Sequence, residues 1–549
     1  MKTLSKDRLL RIIVYFVVVN SLILTPFFNK DGMIIPKLIT MFCLSFFLFP
    51  ILFANRSHLL KNRFVRIGLI IQLMILAQSL IVLIISSAPL EQQIFGRTGR
   101  GLGLITYFSM AVVYISVAFS LEISSLNRVL VGLILSAFIS SLYSIFQSYG
   151  LDLLEWDSRT NGVIGSLGNP NFQSAFAAMV LSPTLFYFWV IKRSRSIAVL
   201  AFIFFCFTIY RTQSTQGYLA GFFSIFVAIL IFTWYRSKLL FIPLLLTSFV
   251  SAIMALMGML NYGPLSQYLY KISVQSRGDF WRSAFTTANS HPFFGVGLDS
   301  FGDYSLMYRD SVAANHSFAE YTDNAHNFFL EQAATGGYIF AGLNSLLTIF
   351  TLILFLKFQI REKKFNPYMT SLFTAWLAFQ MTSVISPGSV VTMHWNMILS
   401  AAILALTRIS LSDLTKLNDA TSLRVKFPKD FSISLALISI LIMFPLFNTD
   451  RLQLQGMKNG DANLVVEVSQ RFPESTVRYS LIGRELFNSG LYIQSLEVGR
   501  AGVDFNPNSA ALWALILVNK YASEAERINA KNMILKLDPL NKEVRSFNP

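Results

Sequence analysis

Residues 239–259 read LLFIPLLLTSFVSAIMALMGM, an apolar run without a charged side chain. An α-helix rises about 1.5 Å per residue, so a helix of this length crosses the roughly 30 Å of hydrocarbon in a bilayer. The next comparable run begins near residue 337, and residues 261–336 between the two runs are polar. This pattern predicts two membrane spans joined by a large loop (residues 261–336) outside the membrane.

Apolar runs of similar length recur along the first 450 residues. In the 549-residue chain 54% of residues are hydrophobic, 13% are charged and the mean hydropathy is +0.55, which excludes an ordinary soluble domain. The sequence predicts an all-α, polytopic membrane helix bundle of about 12–13 spans. The predicted spans lie near residues 9–27, 38–54, 67–87, 104–121, 129–149, 173–191, 197–211, 217–235, 239–259, 337–356, 368–386, 393–409 and 431–448.

The chain carries a net charge of +16, and the location of that charge decides what it means. If the spans alternate across the membrane, the segments on one side carry far more Lys and Arg than Asp and Glu. The segments on the other side carry nearly equal numbers of basic and acidic residues. This asymmetry is typical of the positive-inside rule; it predicts contact with membrane lipid and no nucleic-acid partner. It places the amino terminus in the cytoplasm and the large loop outside. The basic segments are residues 1–11, 55–66, 122–128, 192–196, 236–238, 357–366 and 408–430.

Residues 449–549 form a polar tail with nearly balanced charge, which divides the chain into a membrane domain (residues 1–448) and a second extracytoplasmic domain. Pro473, Pro507 and Pro539 recur at intervals of about 34 residues, with helical patterns between them, and this period resembles that of tetratricopeptide repeats. About two repeats are too few for a free-standing array. We therefore expect the tail to dock on the membrane domain or on a protein partner; a generic helical tail is the alternative.

Two side chains of the large loop are candidates for chemistry. Arg277 lies in the sequence SRGDFW, and its guanidinium is either an anchor for lipid headgroups or a ligand for phosphate. His326 lies in the sequence DNAHN, where Asp323 or Asn324 is expected to cap the helix that follows. Imidazole can act as a general base, with a pKa of about 6.5 if unperturbed, but a lone histidine is more often solvated or hydrogen-bonded.

A glycine-rich turn (residues 95–103, FGRTGRGLG) precedes the fourth predicted span and carries Arg97 and Arg100. Such a turn at the end of a span can bring backbone N–H groups and guanidinium groups close to a phosphate. As a plain turn it needs no function, and both interpretations stay open. The sequence GSLGNPNF at residues 165–172 is interpreted as a structural turn.

Together these motifs resemble the superfamily of O-antigen ligases and O-antigen polymerases, which are bacterial membrane glycosyltransferases. The resemblance covers most of residues 90–345 and rests on the order, spacing and membrane side of the motifs, because each motif alone is weak. A tetratricopeptide-like tail is also common in one branch of the superfamily. The motifs that carry the resemblance are FGRTGR, LGNPNF, the turn TQSTQG at residues 212–217, SRGDFW with HPFFGVG, and DNAHNFFL.

The resemblance implies transfer of a glycan from a polyprenyl diphosphate carrier to an acceptor at the outer face of the cytoplasmic (inner) membrane of a bacterium. The acceptor would be a lipid, a polysaccharide or a protein. The resemblance implies no cofactor, no nucleotide sugar and no obligatory metal, and Cys43 and Cys206 in predicted spans encode no metal cluster. By the same resemblance His326 is the catalytic base and Arg277 binds the diphosphate.

One position departs from the superfamily pattern. Its members usually carry a second arginine in the turn before residue 217, where this chain has Thr215 and Gln216. Arg211 or Arg100 is expected to supply the missing charge; otherwise diphosphate binding is weaker or the activity differs. By the resemblance Arg282 or Arg211 assists Arg277. The resulting substrate-binding candidates are Arg97, Arg100, Arg211, Gln216 and Arg282.

Other activities are alternatives to ligation. A glycan polymerase or a protein O-oligosaccharyltransferase of the same superfamily would use similar residues. A transporter is less favoured, because the predicted span interiors hold almost no ionisable groups and polar residues concentrate in the outer loops. A non-catalytic scaffold that recruits envelope enzymes through its tail would tolerate the loss of Arg277 and His326.

Overall fold

A computed structural model describes residues 2–122, 125–154, 162–270, 272–316, 322–407 and 423–548. Parts of two basic segments (residues 123–124 and 408–422) and of the large loop (residues 271 and 317–321) lie outside these ranges.

The described chain is largely helical, and the large loop separates two groups of long helices. Before the loop lie α1 (Lys6–Leu22), α2 (Ile35–Ala54), α3 (Arg56–Leu59), α4 (Arg63–Ile85), α5 (Leu90–Phe95), α6 (Leu104–Ser120), α7 (Leu126–Ser148), α8 (Pro170–Leu185, extended by a π-helical turn at Phe186–Ile191), α9 (Arg195–Thr212), α10 (Thr215–Arg236) and α11 (Lys238–Met259). The loop holds α12 (Ser266–Leu269), α13 (Ile272–Ser290), α14 (Phe301–Tyr304) and α15 (Ser311–His316). After it come α16 (Phe328–Arg361), α17 (Pro367–Ser383), α18 (Val390–Thr407) and α19 (Lys429–Asn459).

Within the described residues, 10 helices are long and apolar enough to cross a membrane: α2, α4, α7, α8 with its extension, α9, α10, α11, α16, α18 and α19. The other predicted spans fall on α1, α6 and α17, which are slightly shorter at 17 residues each. The prediction of an all-α polytopic membrane protein is confirmed. The predicted 12–13 spans correspond to these full-length helices and the three shorter ones.

Helix α18 lies at the centre of the bundle and is buried along its whole length. Its Trp395 donates its indole N–H to Ser21 Oγ of α1 at 3.0 Å. Small residues allow close helix contacts: a Cβ on Gly132 of α7 would lie 2.4 Å from Val14 of α1. Helix α11, in contrast, buries none of its apolar stretch against the rest of the protein and lies at the lipid-facing edge of the bundle.

Several basic segments that charge alternation assigns to one side of the membrane meet in space. Strand β1 (Lys2–Ser5) pairs antiparallel with β2 (Arg424–Phe427). Asn55 donates its side-chain amide to the backbone of β2 at 2.9 Å, and Arg128 binds Asp7 at 2.7 Å. The grouping agrees with the predicted alternation of spans; the assignment of this side to the cytoplasm stays a prediction.

The HPFFGVG sequence of the large loop lies along the start of α16. Val296 donates its backbone N–H to the Ala334 carbonyl at 2.9 Å, and α16 kinks at Gly337, where φ is 79°. Gly295 has a φ of 62°, and a Cβ there would lie 2.3 Å from the backbone carbonyl carbon of Thr335. Only glycine fits both the left-handed backbone and this close approach. The glycines therefore fasten the loop to the helix.

The tail continues directly from the membrane domain, because α19 runs without a break through residue 448, the predicted domain boundary. The tail helices pack around their own apolar core, which includes Tyr479, Ile482 and Leu512. The tail is therefore a folded helical unit, and its identity as tetratricopeptide repeats stays a prediction. Its helices are α20 (Ala462–Ser469), α21 (Thr476–Asn488), α22 (Tyr492–Phe505), α23 (Ala510–Leu517), α24 (Glu524–Leu537) and α25 (Lys542–Ser546).

Candidate functional site

Helix α13 brings the two principal candidates together. Arg277, Phe280 and Trp281 lie three and four residues apart, so they share one face of the helix. Phe280 stacks on the imidazole of His326 with ring centroids 5.4 Å apart, and Trp281 donates its indole N–H to the His326 carbonyl at 3.3 Å. The motifs SRGDFW and DNAHN are therefore in direct contact; their joint role as a catalytic site stays a prediction.

The backbone around His326 is held in an uncommon conformation. His326 has a φ of 48°, in the left-handed region, and its N–H donates to Asn324 Oδ1 at 2.8 Å. Asn327, one residue later, caps α16 by accepting from the N–H groups of Phe329 and Leu330. The prediction that Asp323 or Asn324 caps this helix was therefore wrong; the Asn324 side chain orients the His326 backbone instead.

The imidazole of His326 is available for chemistry. Among the described residues neither ring nitrogen has a hydrogen-bond partner, and the ring is fixed by stacking on Phe280. Burial, together with the nearby charge of Arg277, lowers the pKa of His326 to about 4, although Asp323 acts in the opposite direction. The ring is therefore neutral at pH 7. The unperturbed titration near 6.5 does not apply to the folded protein.

Arg277 is a half-buried cation for which the described part of the chain provides no counter-ion. Within the described ranges its guanidinium makes no hydrogen bond or ion pair, and burial lowers its pKa below the usual value of arginine. Arginine nevertheless keeps its charge at neutral pH. An unpaired guanidinium close to a neutral imidazole is suited to bind an anion.

Arg97 and Arg100, in contrast, are already paired. Arg97 Nη1 binds Asp303 at 2.8 Å, and Arg100 Nε binds Asp299 at 3.0 Å. Arg100 also pairs with Glu331, and these carboxylates raise its pKa although burial opposes them. The side chains in these pairs are at most 9% exposed. The structure thus brings both arginines to the large loop, where they bind carboxylates of the protein.

The other predicted substrate-binding residues are also occupied by protein contacts. Arg282 binds Asp310 at 2.6 Å and Asp279 at 2.5 Å, and these contacts raise its pKa. Arg211 and Gln216 lie before the large loop in the sequence. Arg211 binds Ser148, and Gln216 donates a hydrogen bond to the backbone of the 165–172 turn. The atoms involved are Arg211 Nε to Ser148 Oγ at 3.0 Å, and Gln216 Nε2 to the Asn171 carbonyl at 2.6 Å.

Gln216 keeps one polar atom without a partner. The side chain is 2% exposed, and its Oε1 lacks a hydrogen-bond partner within the described residues. Gln216 and Arg211 lie at the α9–α10 turn, and no described contact joins either residue to Arg277 or His326. The structure therefore places Arg211 beside α7.

The sequence motifs did not indicate the carboxylates that pair with Arg97 and Arg100. Asp299 and Asp303 follow HPFFGVG at a spacing of four residues, and Glu331 lies five residues after His326. The near balance of acidic and basic residues on the outer side was the available signal, because arginines that face an equal number of carboxylates tend to be paired.

The tail packs directly on the large loop. Asn506 donates its side-chain amide to Asp303 at 3.1 Å, and Arg309 binds Asp538 at 2.9 Å. Thr98 of the glycine-rich turn also hydrogen-bonds to a serine at the start of α21 at 2.7 Å. The tail therefore packs against the large loop and the glycine-rich turn of the membrane domain.

The fold and the site define a polytopic membrane protein with an arginine–histidine site in a polar loop between spans. Residues 200–343 match the family model described as O-Antigen ligase. The match supports the O-antigen ligase superfamily and, with it, a membrane glycan-transfer or ligase role. Arg277 and His326 lie within the matched segment, whereas the glycine-rich turn lies outside it. No curated protein matches the chain.

Proposed function

We propose that this protein transfers a glycan from a polyprenyl diphosphate carrier to an acceptor on a lipid, a polysaccharide or a protein. The observation that carries the proposal is the juxtaposition of an unpaired cation, Arg277, with a neutral imidazole, His326, whose ring nitrogens are free within the described chain. The O-antigen ligase match over residues 200–343 supports this class of reaction.

In this proposal His326 is the general base. The acceptor oxygen (or amide nitrogen) attacks the anomeric carbon, its proton passes to the free imidazole nitrogen, and the bond between that carbon and the diphosphate oxygen breaks with inversion. A base with a pKa of about 4 is weak at pH 7. Donor binding offsets this weakness, because a diphosphate beside the ring brings negative charge and neutralises Arg277, and both effects raise the pKa of His326.

Arg277 binds the diphosphate of the donor. A guanidinium presents two parallel N–H donors to a phosphate and is more strongly attracted as charge builds on the leaving oxygen. Partial burial strengthens this interaction by excluding water. Arg277 therefore contributes both to donor binding and to departure of the polyprenyl diphosphate.

The remaining arginines shape the site. Arg97, Arg100 and Arg282 hold carboxylates of the large loop, so we assign them to loop architecture and not to direct diphosphate binding. Arg211 and Gln216 stay proposals as contacts to the donor, because their turn lies within the matched segment. Among the described residues no group of three or more His, Cys, Asp or Glu side chains is placed to hold a metal ion.

The proposal sets the large loop and the tail on the extracytoplasmic side of a bacterial inner membrane. This placement follows from the charge of the loops and from the location of lipid-linked glycans in this class of reaction. The cytoplasmic side then carries β1, β2 and the basic segments around them.

The test uses membranes that contain His326→Ala, Arg277→Lys or Arg277→Ala, supplied with the lipid-linked glycans of the host. His326→Ala should lower release of polyprenyl diphosphate by roughly 10² to 10⁴-fold, as for a lost general base, while donor binding persists. Arg277→Lys keeps the charge but loses the two-pronged contact, so it should weaken both binding and release, and Arg277→Ala should weaken them further. Release is measured by mass spectrometry.

Matched controls are His291→Ala, which removes a second histidine of the loop, and Arg484→Ala, which removes an exposed arginine of the tail. Both should retain release. Wild-type release in His326→Ala would rule out the assignment of the base. If Arg277→Ala shows normal release while His326→Ala does not, another cation binds the diphosphate.

A further inference from the structure

Asp303 is a junction between three parts of the molecule. Its carboxylate accepts hydrogen bonds from Arg97 at 2.8 Å, from the Gln92 side-chain amide at 3.0 Å and from the Asn506 side-chain amide at 3.1 Å. All four side chains are buried, so water does not replace a missing donor easily. The tail, through Asn506, thus supplies one of the donors that fix the large loop at Asp303.

A second contact ties the tail to the same loop. Arg309 lies between α14 and α15, and its Nη2 binds both carboxylate oxygens of Asp538, at 2.9 Å and 3.0 Å. The two side chains are 6% and 3% exposed. Removing one partner of a buried pair leaves the other charge without compensation, so the pair resists separation. The tail therefore contacts the loop through two buried interactions.

The loop fixed in this way reaches the candidate base through Arg100. Asp299, four residues before Asp303, binds Arg100 Nε at 3.0 Å. Arg100 Nη1 in turn donates to the backbone carbonyl of Asp323 at 2.8 Å, three residues before His326. Hydrogen bonds, the Asp299–Arg100 ion pair and short chain segments thus lead from the tail to the segment that carries His326.

We propose that the tail belongs to the active site as a positioning element, in which Asn506 and Asp538 hold the large loop so that His326 stays packed on α13. Neither side chain contacts the imidazole; they act through Asp303 and Arg309. This inference rests on the proposed function, because it assigns both residues an effect on His326 acting as a base.

The pKa of His326 depends on where the imidazole lies relative to water and to Arg277, so it can be used to detect a displacement of the loop. The charged groups that face its ring are Arg277 of α13, Arg100 of the glycine-rich turn and Asp323 of its own segment. Burial and Arg277 lower the pKa to about 4. A loosened loop would expose the ring to water and move it away from Arg277, so the pKa would rise toward about 6.5. A mere loss of folded protein lowers activity equally at every pH and leaves this titration in place.

The experiment compares full-length variants by the pH dependence of polyprenyl diphosphate release, at limiting donor, in membranes holding the lipid-linked glycans of the host. Asp538→Asn and Asn506→Leu each remove one contact to the loop. Glu526→Gln is the matched control, because this carboxylate binds Arg500 within the tail, at 2.8 Å. The exchange of Arg309→Asp with Asp538→Arg tests rescue of the pair.

We expect Asp538→Asn and Asn506→Leu to lower release at pH 7 by roughly 10-fold to 100-fold, the effect of a small misplacement of a catalytic group. The pH at which release falls on the acid side should shift upward by about 1 unit or more, toward the pKa of a free histidine. Glu526→Gln should keep the wild-type limb, and the charge exchange should restore it.

Two results would overturn the inference: an unmoved acid limb in both loop-contact variants, or an equal loss of release in Glu526→Gln. If Asp538→Asn does not accumulate in the membrane, Asn506→Leu and the charge exchange decide by the same criteria. Failure of the proposed function gives a different result, namely wild-type release in His326→Ala.

Discussion

Replacement of Arg100 by alanine separates a structural arginine from a catalytic one. Arg100 is buried, and its guanidinium pairs with Asp299 and Glu331, whose side chains are 0% and 9% exposed. The substitution leaves both carboxylates buried without this counter-ion. Loss of one partner of a buried ion pair costs about 3–5 kcal/mol of unfolding free energy. We therefore expect Arg100→Ala to be strongly destabilised.

Arg277→Ala should give the opposite result. Its guanidinium has no counter-ion in the described chain, so its removal leaves no unpaired carboxylate behind. The expected loss of unfolding free energy is about 1 kcal/mol or less, as for a substitution outside the core. Release of polyprenyl diphosphate should nevertheless fall, because the donor loses its cationic ligand. Stability and activity are thus predicted to separate between the two arginines.

Thermal unfolding of the detergent-purified variants, followed by intrinsic fluorescence, measures their stability. Release of polyprenyl diphosphate in membranes measures their activity. Arg500→Ala is the control, because its exposed pair with Glu526 should contribute only about 0–1 kcal/mol. An unfolding midpoint of Arg100→Ala equal to that of the wild type would refute the structural assignment. So would an Arg277→Ala variant as unstable as Arg100→Ala.

Two further predictions concern pH and topology. Since the base must be neutral and burial lowers the pKa of His326 to about 4, kcat/KM should be flat from pH 6 to 8 (about two units above that pKa) and fall only in stronger acid. The acid limb of kcat should lie at higher pH, because the bound diphosphate raises the pKa; coincident limbs in steady-state assays would contradict this role of the donor. Reporter fusions at Asn315 and Asn508 should both read extracytoplasmic, and a cytoplasmic signal from either would show that the span alternation is wrong.

The positions of the spans could be predicted from the sequence because the signal is local. In lipid a helix satisfies its own backbone hydrogen bonds, so a sufficiently long apolar run is enough to specify it. Each predicted run accordingly overlaps a helix, including the shorter α1, α6 and α17. The candidates Arg277 and His326 were also recognisable, since guanidinium and imidazole groups are conspicuous in a polar loop between apolar helices.

The state of each charged group could not be read from the sequence. Arg97, Arg100 and Arg277 look alike in the chain, yet among the described residues of the large loop carboxylates pair with Arg97 and Arg100 and not with Arg277. The partners of Arg100 include Glu331, 231 positions away, and no local pattern specifies such a pairing. The same holds for the lowered pKa of His326, which depends on burial and on a cation from another helix.

The sequence by itself thus determined the membrane-spanning helices, the polar loop between them and the residue types of the site. These depend on chain segments that each satisfy their own hydrogen bonds or carry their own charge. The tertiary structure alone decided which arginine lacks a counter-ion among the described residues, how the tail contacts the loop at Asp303 and Arg309, and why the imidazole is neutral. Those properties arise from electrostatics and burial between segments distant in sequence, which exist only after the chain has packed.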